Sequence, residues 1–136
     1  VDAVASVSGP ARWFERGTAA MRRVNWLIEQ PPGRLVSRAL GTRLGEPWGD
    51  PPPISPLELA HRIAPTPLLV VHGDADHYFP VAHAQLLHAA AGANSELWLL
   101  PGIRHGETAM QPELVDRVVS WLRAQSLTAT TAPGTA

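Results

Sequence analysis

The sequence predicts an α/β fold of about three parallel strands with flanking helices, and three observations lead there. The run Leu68–His72 (LLVVH) has no polar alternation, the pattern of a strand in a parallel sheet covered on both faces. Two other short apolar runs, Asp2–Ser8 and Glu96–Leu100, precede and follow it. Helical periodicity comes after each, and the order strand, helices, strand, helix, strand, helix suits a sheet built with crossover connections. At 136 residues the chain is long enough for one domain with a core of its own.

The elements follow in order. Asp2–Ser8 carries Val4 and Val7 and stops at Gly9-Pro10, as a buried strand does before a turn. Thr18 is placed to cap a helix bearing Met21, Val24, Leu27 and Ile28 on one face, which Pro31-Pro32-Gly33 ends. Leu35, Val36, Ala39 and Leu40 repeat that pattern in a second helix until "GEPWGDPPP" breaks it. Ser55-Pro56-Leu57-Glu58 has Ser at the cap, Pro at the first helical position and Glu three after Ser, so a short helix is expected to about Ile63. "PTP" forces extended chain into Leu68–His72. Pro80 opens a helix with Leu86, Leu87 and Ala90 inward and Gly92 as its stop. Pro112 starts the last helix, where Leu114, Val115, Val118, Val119 and Leu122 hold a clear helical period. Residues 126–136, "SLTATTAPGTA", are small, polar and aperiodic, and a disordered tail is expected there.

Composition excludes several classes. Eleven basic against twelve acidic residues leave no electrostatic footprint for nucleic acid or an anionic membrane surface. No cysteine is present, which rules out disulfides and thiolate catalysis. No apolar run approaches the roughly 18 residues needed to span a bilayer, so membrane insertion is not expected. "VDAVASVSGP" lacks the basic flank of a secretory signal, and a cytoplasmic location is the expectation.

Chemistry gathers where ligands bind in open parallel sheets, beyond the carboxyl ends of the strands. "HGDADHYFP" follows the second strand and "PGIRHGE" the third. Asp76 and His105, 29 residues apart, are separated by one helix and one strand, which returns the chain to the same sheet edge. Neighbouring strands lie about 4.8 Å apart, so the two side chains are within reach of each other. A carboxylate bonded to one imidazole nitrogen fixes the tautomer and stabilises the imidazolium formed when the other nitrogen takes a proton.

The plainer readings stand beside that one. Asp76 suits an Asx-turn or a helix cap. Asp74 reads as a solvated turn residue and His72 as a hydrogen-bonded packing residue at the end of a buried strand. His77 and His83 read as surface residues, His61 and His88 as helix residues without partners, and Glu107 as a loop or cap residue. "HGDADH" also differs at one place from the metal-binding His-x-His-x-Asp-His of metallo-β-lactamase-like hydrolases. A metal-dependent hydrolase using His72, Asp74, Asp76 and His77 is therefore a minor alternative.

"PTPLLVVHGDADHYFPVAHAQLL" followed by "ELWLLPGIRHGE" resembles the last two strands of the α/β-hydrolase fold family. Its members carry His-Gly-x-x-Asp-x-x-x-Pro with the acid of a catalytic triad, then a Gly-x-x-His loop with the base. The resemblance implies Asp76 as the acid and His105 as the base. It implies no cofactor, and an ester-like small molecule as substrate. Family chain order is nucleophile, acid, base, and no Gly-x-Ser-x-Gly occurs in these residues. "VDAVASVSGPARWF" resembles the family's sixth strand, and residues 11–63 stand where these enzymes insert a helical lid. The expectation is thus a partial α/β-hydrolase fold, residues 1–125 being the C-terminal portion of a lipase- or esterase-like domain that lacks its nucleophile. Trp13, Phe14, Met21, Trp26 and Trp48 are candidate substrate-binding residues beneath that lid. Two further expectations follow. The chain alone either is inactive until a missing N-terminal half is supplied, or is a non-catalytic scaffold that dimerises through the open edge of the strand at residues 2–8.

Overall fold

The computed structural model describes residues 1–46 and 51–131. Strands β1 (Val4–Val7), β2 (Leu68–Gly73) and β3 (Ser95–Leu100) form one parallel sheet in the order β1-β2-β3, with Val4 opposite Leu68 and Leu68 opposite Ser95. The strands fall within a residue or two of their expected bounds. Helices α1 (Ala19–Glu29), α2 (Pro31–Ala39), α3 (Pro56–Leu59), α4 (Ala82–Ala91), α5 (Gly106–Ala109) and α6 (Pro112–Thr131) complete the fold, with short 3₁₀ turns at Ala60–Arg62 and Gly92–Asn94.

β2 is the centre, and every one of its residues is buried. Because side chains alternate along a strand, Leu68 and Val70 enter one core with Ala60, Ala84, Leu87 and Ala91. Leu69 and Val71 enter another with Ala109, Leu114 and Val118. The sheet is therefore covered on both faces, which is why its central strand needs no polar residue. Among the described residues no helix is long and apolar enough to cross a membrane.

Three expectations are corrected. The inward face of α4 is His83, Ala84, Leu87 and Ala91, whereas Leu86 is 39% exposed, so the helix is rotated from the expected phase. In α2, Leu35, Val36 and the following Leu40 face outward, and the buried residues are Gly33 and Ser37. A side chain at Gly33 would start 2.1 Å from the Trp26 carbonyl oxygen, so only glycine lets the two helix backbones approach this closely. Lastly, α6 runs to Thr131 where a tail was expected from Ser126, with the Ser126 hydroxyl donating to the Leu122 carbonyl at 3.2 Å. Residues 132–136 lie outside the described part.

Candidate functional site

The carboxyl ends of β2 and β3 adjoin, Gly73 standing opposite Leu100. From there the two loops are joined backbone to backbone. Asp74 N–H donates to Leu100 O at 3.1 Å and Ala75 N–H to Ile103 O at 3.0 Å. Gly73 is required by this approach, because a Cβ on it would lie 2.2 Å from Ile103 O. Asp74 is exposed but not merely solvated. Its Oδ1 accepts from Gly102 N–H at 2.7 Å and so ties one loop to the other.

Asp76 then does two things that sequence reading weighed as alternatives. Its Oδ1 accepts from the backbone N–H groups of Tyr78 (2.8 Å) and Phe79 (3.0 Å), which makes the turn. Its Oδ2 accepts from His105 Nδ1–H at 2.8 Å. The Asp76 side chain is wholly buried, and that of His105 is 26% exposed. Burial pushes the Asp76 carboxyl up, but the His105 bond and the two backbone N–H groups outweigh it and hold the group below the usual carboxylate value. An ionised Asp76 accepts only, so a hydrogen sits on His105 Nδ1 and Nε2 is the ring nitrogen left for another partner. No hydrogen bond to Nε2 is formed among the described residues. The rings of Tyr78 and Phe79 lie 5.0 and 5.7 Å from the His105 ring.

Ser8, at the end of β1, has φ 52° and a buried hydroxyl without a partner, and it packs against Gly106. It makes no bond to His105 and is sealed from solvent, so it is not placed to act as a nucleophile.

The candidate substrate residues divide. Trp13, Phe14 and Met21 line a cavity of about 460 Å³ together with Ile28 and Phe79. Phe79 joins this cavity to the pair, since its ring also faces His105. Trp26 is not part of it; half-exposed, it borders a shallow groove with Arg22 and Arg23 on the other side of α1. Trp48 lies outside the described residues.

His83, expected at the surface, is 6% exposed. Ala11 N–H donates to its Nδ1 at 3.0 Å, and its Nε2–H donates to Glu15 Oε2 at 2.9 Å. His88 also has a partner, the Ser95 hydroxyl at 2.7 Å from Nδ1. His77 is exposed as expected, His61 is exposed in the 3₁₀ turn Ala60–Arg62, and Glu107 falls in the first turn of α5. For a metal, the donors of "HGDADH" are turned to other tasks. His72 Nε2 faces the Phe79 carbonyl, Asp74 holds Gly102, and among the described residues no three His, Asp or Glu side chains converge to hold an ion.

No family model matches the sequence. A protein of Escherichia coli (strain K12) described as "Uncharacterized protein YfhR" is 33% identical over 72 residues, 47% of this chain and 25% of that protein. The match thus spans a quarter of the relative's length. A solved structure, that of hypothetical protein PA2218 from Pseudomonas aeruginosa, is 15% identical with a TM-score of 0.42, covering 85% of this chain and 49% of that one. Neither description names a reaction.

Proposed function

We propose that this chain is the C-terminal part of a serine hydrolase with the α/β-hydrolase fold, carrying the acid and base while the nucleophile lies outside these residues. One observation carries the reading: Asp76 Oδ2 sits 2.8 Å from His105 Nδ1, and the other ring nitrogen is unengaged among the described residues. In the reaction, Nε2 takes the proton of a serine hydroxyl as its oxygen bonds to the acyl carbon of an ester, thioester or amide. Asp76 stabilises the imidazolium, which then protonates the leaving alcohol, thiol or amine. Water deacylates the enzyme by the same proton path. Trp13, Phe14, Met21 and Phe79 wall the cavity that receives the apolar part of the substrate. The Gly-x-x-Asp and Gly-x-x-His motifs, in order on adjacent strands, support the family resemblance.

The test is a chromogenic short-chain ester. The 136-residue chain alone is expected to show no turnover. Within a polypeptide that also carries its upstream sequence, turnover is expected and falls about 10⁴-fold in His105→Ala. Turnover indifferent to that substitution would remove the reading.

A second reading is favoured by the state of β1, whose residues are only half-buried and which has a partner on one side. An apolar groove of about 360 Å³ beside it is lined by Val4, Trp13, Ile54, Leu68 and Val70. Such an edge pairs with another strand, and a second copy joined through β1 gives a non-catalytic scaffold. Sedimentation at rising concentration decides: a dimer is expected, and a monomer throughout speaks against it.

A further inference from the structure

We propose that His72 is a positioning residue for the Asp76–His105 pair, acting by the single hydrogen bond its Nε2–H donates to the Phe79 carbonyl. The role assigned to it rests on the reading of Asp76 as orienter and His105 as base. His72 follows four buried apolar residues on the central strand and is itself 1% exposed. Its Nε2 is 2.9 Å from Phe79 O, and a carbonyl only accepts, so Nε2 carries a hydrogen. Nδ1 is buried and without a partner among the described residues. A leucine here would leave no orphaned nitrogen and would suit the apolar strand equally well. What an aliphatic residue cannot supply is the N–H.

That N–H completes a chain of bonds. His72 holds the carbonyl of Phe79; the N–H of the same residue donates to Asp76 Oδ1; Asp76 Oδ2 accepts from His105. The preceding carbonyl, that of Tyr78, is held by the Thr18 hydroxyl at 2.9 Å. That carbonyl shares a peptide with the Phe79 N–H, so Phe79 is fixed through the carbonyls on both sides of its α-carbon. His72 Nε2 also stands 3.7 Å from Asp76 Oδ2, too far for a hydrogen bond but close enough to exclude water from it. The carboxylate oxygen is left with His105 as its partner. Among the described residues, the ionisable side chains paired with Asp76 are His72 and His105.

The experiment is nuclear magnetic resonance of the 136-residue chain. The ¹⁵N shifts of His72 are expected to show the Nε2–H tautomer, and the Nδ1–H tautomer would overturn the proposal without any variant. Three substitutions follow: H72Q keeps an N–H near the position of Nε2, H72N misplaces it, and H72L removes it. The readouts are the solvent exchange of the His105 Nδ1–H and the pH at which the Asp76 carboxyl titrates. In H72N and H72L the proton is expected to exchange about tenfold faster or more, with Asp76 titrating at higher pH than in the parent. H72Q is expected to behave as the parent. If H72L does not fold, H72N and the tautomer decide. Parent behaviour in H72N overturns the positioning role and leaves the pair standing. Equal loss in all three assigns the effect to ring packing and overturns it also. A parent chain without a protected His105 Nδ1–H overturns the pair and this role together.

Discussion

Glu15–His83 and Asp76–His105 bring the same two functional groups to nearly the same separation, 2.9 and 2.8 Å, and both histidines neighbour one aromatic ring. The Phe79 centroid is 5.4 Å from that of His83 and 5.7 Å from that of His105. Their surroundings make them opposites. His83 spends both nitrogens, one on Ala11 N–H and one on Glu15, and its side chain is 7% exposed against 20% for the glutamate. In the other pair the carboxylate is sealed and the imidazole reaches solvent with one nitrogen unused. A base needs a free lone pair that a substrate can approach. Closeness to a carboxylate does not identify it; which partner is buried, and which ring nitrogen is left over, does.

Under the proposed function, His83 holds the chain and His105 is the base, and stability separates the two most strongly. His83→Ala empties a buried site and releases Ala11 and Glu15 from α4, so a loss of about 2–4 kcal/mol is expected. His105→Ala removes a ring that is partly in water and leaves Asp76 its two backbone donors, so no more than about 1 kcal/mol is expected. Urea denaturation of both variants measures the difference. Equal losses would show that His105 too is structural.

Only one of these pairs was visible in the sequence, for a physical reason. Asp76 and His105 each follow an apolar strand, and the topology of a parallel sheet carries both to one edge; periodicity and loop chemistry are local signals that suffice. His83 owes its burial to Ala11 and Glu15, 72 and 68 residues away, and nothing in "VAHAQLLHAAA" announces them. Its helix was recognised but its phase was not, because alanine fits either side. The outward turn of Leu35 and Leu40 has a similar origin. Gly33 allows α1 and α2 to meet through their backbones, and a pattern of apolar residues cannot register that. Residues 126–131 lack apolar periodicity yet stay helical, since no proline or glycine interrupts the chain before Pro133. The orphaned Nδ1 of His72 had no signal at all.

A smaller difference lies in chemical reactivity. Diethyl pyrocarbonate acylates an unprotonated, accessible imidazole nitrogen. His105 offers Nε2, whereas His83 offers neither nitrogen and His72 only one that is buried. At neutral pH His105 is expected to be modified at least about tenfold faster than His83 or His72, whose labelling waits on opening of the fold. Peptide mass spectrometry over time gives the rates, and His83 reacting as fast as His105 would contradict the assignment of its two bonds.

Acid separates the carboxylates more finely. Both are held below their ordinary values. For Asp76 the lowering bonds from His105, Phe79 and Tyr78 act against burial; for Glu15 the Gly17 backbone N–H leads, burial opposes, and His83 adds to it. A carboxyl depressed by folding stabilises the native state above its unfolded pKa of about 4, and that contribution is lost as pH falls through the lower folded value. Asp76→Asn is therefore expected to flatten the acid limb of stability below about pH 4, and Glu15→Gln to flatten it less, because its pair is nearer to solvent and to salt. Denaturation midpoints at pH 3 and pH 6 supply the comparison.

At neutral pH, Glu15→Gln is expected to be the mildest change of all. The amide oxygen still accepts from His83 Nε2–H, and only the charge is lost from a pair whose imidazole is already neutral because Ala11 donates into it. Exchanging a charge-assisted bond for a neutral one in this position costs about 1 kcal/mol or less. The corresponding change at the other pair, Asp76→Asn, is expected to cost more at pH 7, because the contribution of the depressed, buried carboxylate goes with its charge, and it also removes the charge that an imidazolium at His105 requires. If Glu15 instead existed to stabilise a charged His83, its glutamine variant would lose far more at pH 5 than at pH 8. Chemical denaturation at those two pH values reads this directly, and a flat response keeps His83 as a neutral clasp.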